Sequence, residues 1–182
     1  MDINHVVVNG SGQINGDIIQ GRGNIIHKSA GGKSGSPLQS DRAAESFDVA
    51  ISYASEQEVF ANRVSKILKN EGKEVFFAPD CEALYKAKDM FQKFYEIYRY
   101  KSKFVACFVS KEYLQKDYTM HEYECACLNS KDAGENRIIA VQFDGCRLPH
   151  FDMDINYIDA QKSREVQVAD TILKILNESD RG

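Results

Sequence analysis

Six consecutive apolar residues, Phe104-Val105-Ala106-Cys107-Phe108-Val109, constrain the fold more than any other feature of this chain. A strand half-exposed to water alternates polar and apolar residues. One that is apolar throughout needs cover on both faces, as a central parallel strand has. Neighbouring segments supply that cover. Phe47-Asp48-Val49-Ala50-Ile51-Ser52 reads as another buried strand, and Phe60, Val64, Ile67 and Leu68 then recur at helical spacing until Gly72. Val75-Phe76-Phe77 is a short second strand, and after a loop Met90, Phe91, Phe94, Tyr95, Ile97 and Tyr98 share a helix. Beyond Val109 the pattern predicts a helix from Thr119 to Leu128 and a strand from Ile138 to Phe143. A short segment near Tyr157-Ile158 and a last helix carrying Val166, Val168, Ile172, Leu173 and Leu176 complete it.

Strands alternating with helices require crossover connections, so the fold class is α/β: a flavodoxin-like, doubly wound parallel sheet. Ligands of such sheets sit outside the carboxyl ends of the strands, where strand order reverses. For the flavodoxin-like order this lies between the first and third strands. Two loops are therefore expected to line any site. One is Ser52-Tyr53-Ala54-Ser55-Glu56. The other runs from Ser110 to Tyr118 and feeds the helix bearing Glu122.

Composition separates this unit from what precedes it. Eight of the 12 glycines lie in the first 35 residues, and Ser29 to Ser40 has the Gly/Ser/Pro make-up of a flexible linker. We divide the 182 residues into a segment 1–28, a linker 29–45 and a domain 46–178. The formal charge of −4, with no local Lys/Arg cluster, argues against nucleic acid as a partner. Five cysteines without framework spacing fit reduced thiols in a cytoplasm. No run approaches the roughly 20 apolar residues of a membrane span, and the first residues lack the basic and apolar regions of an export signal. A cytoplasmic protein without a membrane partner is expected.

Three familiar patterns fail on inspection. Gly31-Gly32-Lys33-Ser34 ends like a phosphate-binding loop, but His27 stands where the leading glycine belongs. His121-Glu122 begins like a zinc-protease helix, yet Cys125 occupies the second histidine position, and no metal is expected. The four histidines are scattered, so serine nucleophile chemistry has no support.

Other blocks carry a resemblance. Phe47 to Glu56 resembles the opening strand and loop of bacterial Toll/interleukin-1 receptor (TIR) domains, and Val75-Phe76-Phe77 resembles their second strand. Asp80 to Met90 sits where their BB loop runs into the next helix, with Lys88-Asp89 matching a recurrent pair. Phe104 to Ser110 resembles the third strand. Tyr118-Thr119-Met120-His121-Glu122 resembles the Trp-x-x-x-Glu element that supplies the catalytic glutamate of NAD⁺-cleaving members. The similarity runs from about Phe47 to Ala160. There are departures: Ala78 replaces an acid usual after the second strand, with Asp80 or Glu82 as substitutes; Ala87 replaces a BB-loop glycine; Tyr118 replaces tryptophan.

The resemblance implies NAD⁺ as substrate, Glu122 as the catalytic carboxylate, and contacts from Ser52, Tyr53, Ser55, Asp80, Glu82, Lys88 and Tyr118. A lone glutamate suffices chemically. Nicotinamide in NAD⁺ is a cationic pyridinium that departs as a neutral base, so the acid that glycosidases use on their leaving group is dispensable. One carboxylate beside the ribose can stabilise the oxocarbenium-like state by ~3–4 kcal/mol in a desolvated cleft. Competing readings are structural. Thr119-Met120-His121-Glu122 also fits a capping box, Ser/Thr-x-x-Glu, with Glu122 bonding a free backbone N–H. Tyr53 and Tyr118 could be half-buried tyrosines at the sheet edge, Lys86 and Lys88 solvated, and Phe94, Tyr95, Tyr98 and Tyr100 core.

In the N-terminal segment Gly16-Asp17-Ile18-Ile19 recurs as Gly23-Asn24-Ile25-Ile26. Paired β-branched residues between turn formers, with little charge and no proline, suit stacked cross-β arches. The pattern resembles RHIM-like amyloid signalling motifs ahead of bacterial cell-death effectors. The implied partners are further copies, through the TIR domain and this segment, and an upstream sensor with a similar motif. Stacking would raise the effective concentration of TIR domains to about the millimolar range. Two functions stay open: an assembly-activated NAD⁺ glycohydrolase or cyclase, and a non-catalytic TIR adaptor. A receiver-like domain is disfavoured, because Asp48 alone does not make the acidic pair that phosphotransfer needs.

Overall fold

The computed structural model describes residues 46–81, 87–149, 155 and 157–181; side chains 81 and 87–89 lie outside the description. The segment 1–28, the linker 29–45 and Glu82 all lie outside the described residues, as do Lys86 and the side chain of Lys88.

Five strands form one sheet: β1 (Phe47–Tyr53), β2 (Val75–Phe76), β3 (Ser102–Val109), β4 (Ile138–Gln142) and β5 (Tyr157–Asp159). Their order is β2-β1-β3-β4-β5 and every pairing is parallel. The switch point therefore falls between β1 and β3. Register across it is continuous, with Ser52 opposite Cys107 and Tyr53 opposite Phe108. The apolar run at its centre is β3, buried from Phe104 to Val109.

Helices α1 (Glu58–Asn70) and α6 (Glu165–Ser179) contribute to one core cluster, α5 (Asp117–Ala133) to the other. Odd-numbered residues of β1, Val49 and Ile51, join α1 and α6. Even-numbered Ala50 joins α5, and the two-residue period of a strand sends Ser52 the same way. Gly72 and Gly134 adopt positive φ just beyond α1 and at the C-cap of α5, where a β-carbon would be strained.

Sequence periodicity missed two short helices and misplaced one start. The expected loop after β2 begins with α2 (Ala78–Cys81), and the aromatic helix is α3 (Ala87–Glu96). The expected loop from Ser110 to Tyr118 contains α4 (Lys111–Gln115). Its cap is local: Ser110 Oγ accepts from the Tyr113 backbone N–H at 3.1 Å. Helix α5 begins at Asp117, two residues before Thr119. Among the described residues no helix is long and apolar enough to cross a membrane.

Candidate active site

At the end of α3 the backbone widens into a π-turn over Ile97–Lys101. The extra residue per turn brings Ile97 and Tyr98 inward together, both about 1% exposed. Asn129 on α5 holds this turn, donating its Nδ2 to the Tyr98 carbonyl (3.1 Å) and the Ser102 carbonyl (2.8 Å). Tyr98 thereby reaches across to β1, where its hydroxyl donates to the Ile51 carbonyl at 3.0 Å.

Beside it stands Glu122, in the second turn of α5 and 8% exposed. The capping-box geometry is not what forms. Thr119 lies inside the helix and its hydroxyl donates to the carbonyls of Tyr113 and Lys116. The Glu122 carboxylate instead receives the Ser52 hydroxyl on Oε2 at 2.6 Å. Burial pushes the Glu122 carboxyl up to about 8, against the opposing pull of hydroxyls from Ser52 and Tyr98.

Above the carboxylate opens a cavity of about 220 Å³. Tyr53, Phe94, Tyr98 and Tyr118 form aromatic walls, Ser55, Glu58 and Glu122 supply polar groups, and Ala78 closes one side. Tyr53 stacks on Phe77, with centroids 5.2 Å apart. Lys116 fastens the rim: its ammonium donates to Ser55 Oγ at 2.8 Å, pairs with Glu56, and lies 6.0 Å from the Tyr118 ring. A wider depression of about 360 Å³ is lined by Met120, Tyr123, Leu128 and Pro149 among others. Its described lining includes no buried carboxylate, whereas that of the smaller cavity does.

The expected site residues divide accordingly. Tyr53, Ser55, Tyr118 and Glu122 meet around one cavity. Ser52 does not line it: wholly buried, its hydroxyl is occupied by Glu122 and Tyr113. Asp80 is also absent from it, because its half-exposed carboxylate is ion-paired with Lys69 on α1. The acid lost at Ala78 is therefore not restored by Asp80. Tyr100, expected in the core, is 64% exposed. Sequence reasoning missed Glu58, Tyr113 and Lys116 as site components. A serine N-cap at Ser110 signals a helix start, but its bond is to the backbone N–H of residue 113 and does not single out the Tyr113 hydroxyl.

Strand order and cavity position define a flavodoxin-like α/β domain with its cleft at the switch point. The TIR domain family model matches residues 49–173. The chain is also similar to the 3′ cyclic ADP-D-ribose synthase AaTIR of Aquimarina amphilecti, with 29% identity over 123 residues. That alignment covers 68% of this chain and 38% of the relative, so the chain spans well under half of that protein's length. Among solved structures, the TIR domain of the Toll-related receptor TRR-2 from Hydra magnipapillata matches with a TM-score of 0.54 at 16% identity. It covers 75% of this chain and 100% of that one, a likeness of fold. The chain belongs to the TIR domain family.

Proposed function

We propose that this TIR domain cleaves the nicotinamide–ribose bond of NAD⁺, with Glu122 as its catalytic carboxylate. The observation that carries the reading is a buried carboxyl at the floor of an aromatic-walled cavity, at the point where this sheet order binds ligands. Similarity to a cyclic ADP-ribose synthase supports the same reaction class.

In the empty site Glu122 is mostly neutral at pH 7, because burial lifts it to about 8. Arrival of a cationic pyridinium beside it favours the charged form, so substrate binding expels the proton. The bond from ribose C1′ to the pyridinium nitrogen then breaks. Its electron pair leaves with nicotinamide, and the carboxylate faces the developing positive charge on the ribose. Attack on C1′ by water completes hydrolysis, with one proton released. A nucleophile within the same molecule gives a cyclic product. Tyr53 and Tyr118 are suited to stack on rings of the nucleotide, and Ser55 to meet a hydroxyl or phosphate. Glu82 and Lys88 remain assigned to nucleotide contact through the resemblance.

The biological reading is a bacterial immune or cell-death effector, in which residues 46–178 act and residues 1–28 gather copies of the chain. An adaptor working by TIR–TIR contact alone is the second reading. The cavity favours it, since about 220 Å³ is smaller than the roughly 300–1,000 Å³ of sites enclosing a drug-sized ligand. Incubating the full chain with NAD⁺, with and without a crowding agent, separates the two by release of free nicotinamide. Release that disappears in Glu122→Gln supports the enzyme; release that survives removes Glu122 from the mechanism, and none under any condition leaves the adaptor.

A further inference from the structure

Two hydroxyls lie beneath Glu122 with no solvent contact, Ser52 at the end of β1 and Tyr113 on α4, both 0% exposed. Ser52 Oγ is 2.6 Å from Glu122 Oε2 and 2.8 Å from the Tyr113 hydroxyl. A serine hydroxyl has one proton. With that proton directed at the carboxylate, Tyr113 is the donor in the second contact. The order is therefore Tyr113 to Ser52 to Glu122.

We propose that Tyr113 is a positioning residue for Glu122, acting through Ser52 to hold the carboxyl against the end of β1 and to favour its charged form. The proposal rests on reading Glu122 as the catalytic carboxylate. Phenylalanine would fill the same volume without burying a hydroxyl, so packing alone gives no reason for tyrosine at this place. The backbone of Tyr113 is tied at both ends: its N–H donates to Ser110 Oγ and its carbonyl accepts from the Thr119 hydroxyl. The ring is thus aimed by two helix-start contacts, and burial keeps its hydroxyl a donor by pushing its titration far above the ordinary tyrosine range. Linked donors polarise one another, strengthening the final bond to the carboxylate.

Other groups face the same carboxyl. Tyr98 from the π-turn lends a weaker hydroxyl contribution. Cys107 on β3 sits opposite Ser52 and meets the Tyr113 hydroxyl; burial pushes its thiol up to about 12, so it is neutral. Tyr53 on β1 and Glu58 on α1 line the cavity, and Tyr118, His121 and Cys125 approach from α5 itself. The double substitution below separates the route through Ser52 from these neighbours.

The test follows the Glu122 carboxyl by carbon-13 NMR in full-length protein labelled at glutamate Cδ, without NAD⁺, using Glu122→Gln to assign the signal. Tyr113→Phe is expected to raise the midpoint by about half to one unit, and Ser52→Ala by more. In the Ser52→Ala background, adding Tyr113→Phe should shift it no further, because the route is gone. An unmoved midpoint in Tyr113→Phe, or a shift that persists without Ser52, overturns the proposal. If Tyr113→Phe does not fold, Ser52→Ala decides alone: no rise overturns it. NAD⁺ cleavage is assayed in parallel, and the acid limb of its pH profile should move by the same amount. Midpoints that move as expected in a protein releasing no nicotinamide would refute the enzymatic reading while leaving the hydroxyl chain standing.

Discussion

The two faces of the sheet are built from different chemistry. Between the sheet and α1/α6 the core is aliphatic and phenylalanine side chains, among them Val49, Ile51, Leu68, Phe108, Ile172 and Leu176. On the α5 side the core includes Tyr98, Tyr113, Tyr123, Cys107 and Cys125, with Ser52 and Glu122 buried at its upper end. The first face holds the domain together by non-directional burial, and any well-filled set of hydrocarbons serves. The second must give each buried hydroxyl and carboxyl a partner at a set angle, which costs stability but fixes where a carboxylate points. The candidate site lies on the face whose contacts have direction.

The sharpest break in that comparison comes from Glu122→Gln. Nicotinamide release should fall by about 10²–10³-fold, while the protein becomes less sensitive to alkali. The sign follows from proton binding. Burial lifts the carboxyl from an ordinary 4.5 to about 8, so the native state keeps a proton that the unfolded chain has lost. The contribution of Glu122 to stability is greatest below pH 4.5 and declines as pH rises to about 8, a loss on the order of 5 kcal/mol. Urea unfolding at pH 5, 7 and 9 should show this slope in the wild type and not in Glu122→Gln; equal slopes would contradict a buried, proton-holding carboxyl.

On the opposite face, Ile172→Ala should cost about 2–5 kcal/mol of unfolding free energy. Turnover per folded molecule should stay unchanged in the same preparation, and a loss of turnover would show that the two faces are not separable. The wild-type pH profile comes next in size. In the proposed reaction the charged carboxylate is the active form, so kcat/KM should drop about tenfold for each unit below the midpoint near 8. The midpoint seen in kcat should be lower, since bound pyridinium stabilises the anion. A profile flat from pH 6 to 9 would sever activity from Glu122 ionisation. Smallest is Tyr98→Phe, which removes the hydroxyl given to the Ile51 carbonyl and should cost about 1 kcal/mol in thermal or urea unfolding. No change at all would mean that this contact adds nothing to the directional face.

Much of the fold was legible because burial leaves a periodic trace. The unbroken run at Phe104 to Val109 and the helical spacing from Phe60 to Leu68 both became the elements they suggested. Short helices such as α4 leave too few residues for a period to register, and so went unseen. Around the site, Tyr53, Ser55, Tyr118 and Glu122 were legible as a group because the strand-order rule names the loops that must converge. Asp80 was not legible in this way: it stands two residues past Ala78, and its carboxylate pairs with Lys69 on α1. For Ser52, alternation along β1 tells which face it takes but not how deep it lies, nor that Glu122 and Tyr113 are its neighbours.

Sequence by itself determined the layering, the parallel sheet and the end at which a site would form. Those depend on which residues avoid water, and avoidance of water is written along the chain at fixed intervals. Only the tertiary structure decided that Glu122 lies buried and turned toward Ser52 rather than capping its own helix, and that Tyr113 stands behind that serine. Hydrogen-bond partners 61 and 70 residues apart are chosen by ångström distances between packed elements, and no local pattern encodes such distances.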